Sequence, residues 1–439
     1  MRKITLITII SILMLLPALA LGASSKLSKT VFPNGLTLIH QYSSSSDIVA
    51  LDMFIKSGGT TEDPGEEGLA YLVQGVLYRG SGNRSVKQIT VQCDSMGALI
   101  NKTCTADYVS ISSVVLKKYF YNFLDLFMDG ILNPTLDRTE IERKRADQQT
   151  EMKAMNDSIF DVSFDLTKEL IYGSHPYHKP AIGYPKVLAA INRNQILVFS
   201  RKFYRPENMI LVVVGDIQQQ DVADVLKNYF PDLDQKSPAK PTIKAAPPTP
   251  ARKQPIEQPM ETKFKQGYLM MGYVVPSVNS RDFATLKVLA AVLGRRNAQV
   301  FPAMVEGEGL AYEIKTYYPT MAFDSPFIVY LGTKEANLSK AQEMVLKEIE
   351  SIKNNGMDSK ELDYIKVSLA GEYAREHQTN EGAAFYLGLY EALQKGYEYD
   401  ARFFNDLENV SVSDLKRITK TYFIPNNLAV VKLTPKAVK

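Results

Sequence analysis

The sequence predicts an α+β fold of two homologous domains, each a mostly antiparallel sheet with helices packed on one face. Three observations predict it. Strand-like runs come in pairs and are followed by stretches with helical apolar spacing. An aromatic-aromatic-x-Pro-x-Asn motif leading into an apolar, β-branched run occurs twice, as "FYRPENMILVVVGD" (203–216) and "YFIPNNLAVVKLTP" (422–435). A stretch rich in Pro, Lys and Ala, centred on 236–250, splits the chain into parts of about equal length. Such a composition cannot bury a core and stays extended.

The elements follow in order. Arg2 and Lys3 precede the apolar run "ITLITIISILMLLP", and small residues follow at Ala18, Ala20, Gly22 and Ala23. Basic, apolar, then small is the layout of a secretory signal. Residues 1–22 are therefore expected to be a signal peptide, cut between Ala20 and Ala23. A bilayer-spanning helix needs roughly 20 apolar residues, and Pro17 interrupts this run. The mature chain is expected to be exported, most simply to the periplasm, with no membrane span.

The first domain is expected over 23–235. "TLIHQY" and "IVALDMFIKS" read as strands, 66–79 and "VKQITVQCDSMG" as helices, and "ALINKTCTADYVSISSVVL" as a hairpin. Helices follow over 117–131 and 138–155. The linker 236–250 leads to the second domain, 251–439. Pro206 and Asn208 match Pro425 and Asn427 at an offset of 219 residues, and each motif is preceded by a helix, "NRNQILVFSRKFY" and "SVSDLKRITKTYF". At the same offset "LDMFIKS" falls on "MMGYVVP". Repetition on this scale implies duplicated domains. In "LSKAQEMVLKEIESIKNNG", Ala341, Val345, Ile349 and Ile352 keep helical spacing, and Gly356 sits at the stop position.

Composition sets bounds on function. The 439 residues are 45% hydrophobic and 23% charged, with net charge +3. That is an ordinary globular balance without the basic footprint of a nucleic-acid binder. The two cysteines, Cys93 and Cys104, could pair in an exported protein or be two small buried residues.

The stretch "SGGTTEDPGEEGLAYLVQGVLYRGS" (57–81) resembles the insulinase/pitrilysin family of zinc metallopeptidases, whose members read Gly-Leu-Ala-His-x-x-Glu-His here, the inverted zinc motif. Four further segments resemble the family in the right order: "GALINKTCTADY", "GSHPYHKPAIGYPKVLAAI", "YRPENMILVVVGD" and "GEGLAYEI". The resemblance implies a half-chamber of two domains. It also implies a constellation of two His ligands, a general-base Glu between them and a distant Glu as third ligand.

That constellation is degenerate. Tyr71 stands at the first His position, Gln74 at the base and Gly75 at the second His; only the distant carboxylate remains, as Glu151. A phenol with an ordinary pKa near 10 is a poor zinc ligand, Gln cannot take a proton, and Gly offers nothing. Zinc is expected to be absent and Glu151 to be solvated or paired with a Lys or Arg. Of the four His, His175 and His178 have metal-like spacing but flank Pro176 in a loop, while His40 and His377 are isolated. In the second domain, the resemblance implies an Arg and a Tyr that grip substrate. Tyr312 fits the Tyr and Val305 replaces the Arg; Arg295 and Arg296 are not expected to substitute.

No catalytic residue is expected. Peptide binding by strand addition is expected along Gly97, Ala98, Leu99, Ile100 and Asn101, extending to Thr103, with Lys102 intruding where the family carries a small residue. The resemblance implies the inactive subunit of a heterodimer, partnered by a chain with an intact motif. A stand-alone or homodimeric peptide or protein holder, a subunit of an envelope assembly, and a residual peptidase are the alternatives.

Overall fold

The computed structural model describes residues 27–235, 249–250, 252–294 and 313–436. The signal segment, most of the linker, Arg295, Arg296, Val305 and Tyr312 lie outside the described residues.

The first half runs β1 (Leu27–Val31), β2 (Thr37–Tyr42), β3 (Ile48–Ile55), α1 (Leu69–Val76), α2 (Val86–Met96), β4 (Asn101–Cys104) and β5 (Val109–Leu116). It continues through α3 (Phe120–Leu132), α4 (Arg138–Met155), α5 (Ile159–Tyr172), α6 (Pro185–Ala190), α7 (Arg193–Phe203), β6 (Met209–Gly215) and α8 (Gln219–Tyr229). The second half runs β7 (Ile256–Thr262), β8 (Gly267–Val275), α9 (Phe283–Gly294), β9 (Glu313–Tyr317), β10 (Ser325–Thr333) and α10 (Leu338–Asn355). It ends with α11 (Ser359–Glu376), α12 (Asn380–Ala392), α13 (Tyr399–Glu408), α14 (Val412–Tyr422) and β11 (Leu428–Pro435).

Local chemistry sets the boundaries. Asp137 caps α4 by accepting from the Thr139 and Glu140 N–H groups at 2.8 and 3.3 Å. Ser85 and Gln88 form a reciprocal capping box on α2. Gly356, at φ 79°, stops α10 where the sequence placed the stop.

The two sheets are ordered β1-β2-β6-β3-β5-β4 and β7-β11-β8-β10-β9. Both are mostly antiparallel, each with one parallel pair, β2 with β6 and β7 with β11. The duplication is visible in the register. Met209 pairs with Ile55, and its repeat partner Leu428 pairs with Tyr273. The central strands are thus related by 218 residues, not by the 219 that relates the Pro motifs. Because side chains alternate across a strand, one residue of slip exchanges the two faces. Leu51, Met53 and Ile55 correspond to Leu269, Met271 and Tyr273, and all six face the helices of their own half.

The opposite face of each sheet is not left open. α12, from the second half, lies across β3 and β6 of the first sheet. α5, from the first half, lies across β8 and β11 of the second. Each starts at a hydroxyl N-cap, Ser158 or Thr379, and each crosses the two central strands of the other half's sheet, so the two helices are exchanged between halves. The largest core cluster accordingly mixes Ala50, Phe54, Ile210 and Val212 with Tyr273, Phe327, Leu387 and Leu389. Burying that much apolar surface across the halves makes them one packed body.

Candidate functional site

α1 and α4 pack side by side. α1 begins at Gly68, whose N–H and that of Ala70 donate to the buried carboxylate of Glu62 at 3.1 and 2.8 Å. This satisfies donors that a helix N-terminus leaves free. Burial raises the Glu62 carboxyl to about 8, against the pull of those N–H groups and of Lys179. On α4, Lys144, Gln148 and Glu151 are spaced i, i+4, i+7, so they share the face turned to α1. Gln148 Nε2 donates to the carbonyls of Gly68 and Ile182 at 3.2 and 2.8 Å, tying α1 and α4 to the loop before α6.

Three of the four degenerate positions meet here. The Tyr71 hydroxyl donates to Glu151 Oε2 at 2.5 Å. Lys144 Nζ donates to Glu151 Oε1 at 2.9 Å and lies 5.1 Å from the centre of the Tyr71 ring. The expected pairing of Glu151 with a basic residue is therefore present, and the residue is Lys144. Burial pulls Glu151 upward, but the Tyr71 hydroxyl and the Lys144 ammonium outweigh it and hold the carboxylate below its usual range. Burial, reinforced by Glu151, pushes the Tyr71 phenol far above its usual range, so it stays protonated. Gln74 is buried, and its Oε1 finds no donor among the described residues.

Gly75, at the second His position, is not an empty place. A Cβ built there would stand 2.3 to 2.8 Å from Cε, Cγ and Cδ of Lys144. The lysine stem fills the volume in front of the helix. A second lysine, Lys102 on edge strand β4, donates to the carbonyls of Gly75 and Leu77 at 3.2 and 3.1 Å, closing the last turn of α1.

These residues do not fit zinc. An open catalytic site takes three protein ligands. This one offers a single carboxylate, already committed to a hydroxyl and an ammonium. Among the described residues, no group of three His, Cys, Asp or Glu side chains comes together elsewhere.

"HPYH" is a short 3-10 turn: the Tyr177 N–H donates to His175 Nδ1 at 3.1 Å, and burial, with His178 nearby, lowers His175 to about 4. His40 is buried, its Nε2 2.8 Å from the Ile217 carbonyl, and His377 pairs with Asp400 at 2.9 Å. Cys93 and Cys104 are free thiols. The edge strand lies later than expected: β4 spans Asn101–Cys104, Gly97 is the left-handed cap of α2, and Ala98, Leu99 and Ile100 are the connecting loop. The Gly97 cap ends the helix and leaves only Asn101 of the expected five in the strand. Behind β4 a cleft of about 640 Å³ opens between the halves, walled by Tyr71, Cys104, Asp107, Phe160, Tyr317 and Tyr386.

Lys144 is the residue that sequence reasoning missed. Its signal was present: it lies seven residues before Glu151, two helical turns back on the same face.

A sequence profile described as insulinase (peptidase family M16) matches residues 37–184, and one described as the peptidase M16 inactive domain matches 190–369. The chain belongs to the M16 peptidase family. The second profile begins after α1 and α4, so its description does not bear on the degenerate site. A zinc protease from Helicobacter pylori, PqqE, is 24% identical, with 97% of each chain covered. Two solved structures share the fold. A protease from Helicobacter pylori has a TM-score of 0.86 at 20% identity, covering 94% of this chain and 100% of that one. A peptidase M16 inactive domain from Pseudomonas fluorescens has a TM-score of 0.84 at 19% identity, covering 94% and 99%. No helix among the described residues is long and apolar enough to cross a membrane.

Proposed function

We propose that this chain is the non-catalytic half of a heterodimeric zinc peptidase, working without zinc of its own in an exported compartment, most simply the periplasm. The observation that carries the reading is the content of α1 and α4. Tyr71, Gln74 and Gly75 occupy the ligand and base positions, and Lys144 neutralises the one remaining carboxylate. Among the described residues the family fold is kept around them, which suits a subunit kept for its shape. Its role is to complete the chamber of an active partner that carries intact His-x-x-Glu-His. The cleft behind β4, with an edge strand beside it, suits a peptide held by main-chain hydrogen bonds.

Purification of the chain from its native source, followed by mass spectrometry, tests this. The expected result is equimolar recovery with a second M16 chain bearing the intact motif. Recovery as a monomer or homodimer would sink the heterodimer and leave a stand-alone peptide or protein holder. The relatives' designation as zinc proteases favours residual peptidase activity as the rival reading. Metal analysis of the purified chain addresses that rival: stoichiometric zinc dependent on Glu151 would establish it.

A further inference from the structure

We propose that Lys144 is a built-in cation standing in place of the metal, and that it, rather than the missing ligands alone, closes this site to zinc. The proposal rests on the geometry of α1 and α4, and it holds whether or not a partner subunit exists.

Volume, charge and an aromatic partner each close the site. The first is volume. Lys144 is buried, and its stem runs through the space that any side chain at position 75 would need. The clashing atoms include Cγ and Cδ, the middle of the stem. The stem is fixed at one end by α4 and at the other by Glu151, so it cannot simply swing aside. The second is charge. Without a cation, the Glu151 carboxylate beside the Tyr71 ring would be half-buried and uncompensated, which is costly. The ammonium supplies the compensation directly, at 2.9 Å. The third is the aromatic partner. An ammonium over the Tyr71 ring is attracted by the ring face, whereas an imidazole at 71 would remove the phenol that also donates to Glu151. Tyr71, Gly75, Lys144 and Glu151 thus form one interlocked set. Gly75 makes room, Lys144 fills it, and Tyr71 and Glu151 hold the ammonium.

Restoring the ligands is therefore not enough. The variant Tyr71→His/Gln74→Glu/Gly75→His is expected to take up no stoichiometric zinc while Lys144 remains. Adding Lys144→Ala is expected to bring uptake to about one zinc per chain, read by metal analysis after dialysis against zinc and by a zinc-dependent rise in melting temperature. Stoichiometric zinc in the variant that keeps Lys144 overturns the proposal, and so does its absence from a folded quadruple variant.

A milder cycle decides the matter if the multiple variants do not fold. Gly75→Ala is measured in the natural background and again with Lys144→Ala, by thermal unfolding. With Lys144 present, the added methyl meets the stem and the melting temperature falls by several degrees. With the stem removed, the same change is neutral or stabilising, because Ala is the better helix former. An equal fall in both backgrounds means that Lys144 does not occupy the place, and the proposal fails.

Discussion

Where α12 crosses the first sheet, Phe54 of β3 lies against Gly388 of the helix; a Cβ on Gly388 would stand 2.1 Å from the Phe54 ring. Where α5 crosses the second sheet, Gly272 of β8 lies against Thr167; a Cβ on Gly272 would stand 2.5 Å from the Thr167 methyl. The positions correspond. Phe54 and Gly272 pair with the repeat partners Ile210 and Ala429. Thr167 and Gly388 lie equally far past the caps Ser158 and Thr379. One half puts the large residue on the strand and the glycine on the helix; the other reverses them. Each helix therefore fits only the other half's sheet. α5 on its own sheet would drive Thr167 into Phe54, and α12 on its own sheet would leave a hole between two glycines. Overpacking and voids both destabilise. The reversal favours exchange over self-packing.

The largest predicted effect breaks that complementarity. Gly388→Thr gives α12 the residue that α5 carries and forces it against Phe54. The expected loss is about 1–3 kcal/mol, seen as a lower denaturant midpoint. Phe54→Gly alone is costly, because the ring also packs on Tyr108 and Phe385, but added to Gly388→Thr it removes the clash, so the double variant should lose less than the sum of the two single losses. If Gly388→Thr is tolerated without change, the crossing is not tight and the comparison fails.

A second prediction compares the helices α1 and α9, which sit beside the edge strands β4 and β9. In each half a partly buried lysine bonds main-chain carbonyls there. Lys102 reaches from β4 into the last turn of α1. Lys287 reaches from α9 to the Tyr318 carbonyl just past β9, at 3.0 Å. Burial, helped by Lys144 and Arg79, lowers Lys102 to about 8, and burial, partly offset by Glu376, lowers Lys287 to about 8. The ordinary value for both is 10.5. Between pH 8 and 10.5 the unfolded chain therefore holds protons that the folded chain has released, and stability rises with pH. Each lysine should contribute up to roughly 3 kcal/mol across that window. Lys102→Met and Lys287→Met should each flatten the rise in melting temperature by a similar amount. A slope unchanged by either substitution would show that the two lysines are not matched burdens on their halves.

Much of this was legible in the sequence because it is local. The spacing in α10, its Gly356 stop and the repeated Pro motif each declare an element within a few residues. The exchange of α5 and α12 is not local: an amphipathic face says that it is buried, not against which sheet. The one-residue slip between β3 and β8 was hidden for a related reason. The Pro motif fixes the register of β6 and β11 alone, and only the hydrogen-bonded ladder carries it to their neighbours. At the site, the missing ligands could be read directly from Tyr71, Gln74 and Gly75. The presence of Lys144 in their place required knowing that α4 lies flat on α1. The expected edge strand fell short because Gly97 takes a left-handed cap and its three successors form a loop, which apolar composition does not reveal.

The smallest predicted effect separates the members of the site. Tyr71→Phe removes one hydroxyl from Glu151 but keeps the ring under the Lys144 ammonium and leaves the ion pair intact. Glu151 is partly open to water, which can replace the lost donor. The expected loss is about 0.5–1 kcal/mol, the lower part of the range for an ordinary hydrogen bond and below that for a bond to a charged group, because water takes the donor's place. Lys144→Met keeps most of the stem but strips the charge, so the carboxylate loses the cation paired with it and the protein should lose more stability than with Tyr71→Phe. In the second half, Asp282, just before α9, is held in a similar way: the Tyr422 hydroxyl donates to its carboxylate at 2.7 Å and Arg417 pairs with it at 2.8 Å. If Tyr71→Phe proves as damaging as Lys144→Met, the phenol and not the ammonium is the centre of the interlocked set.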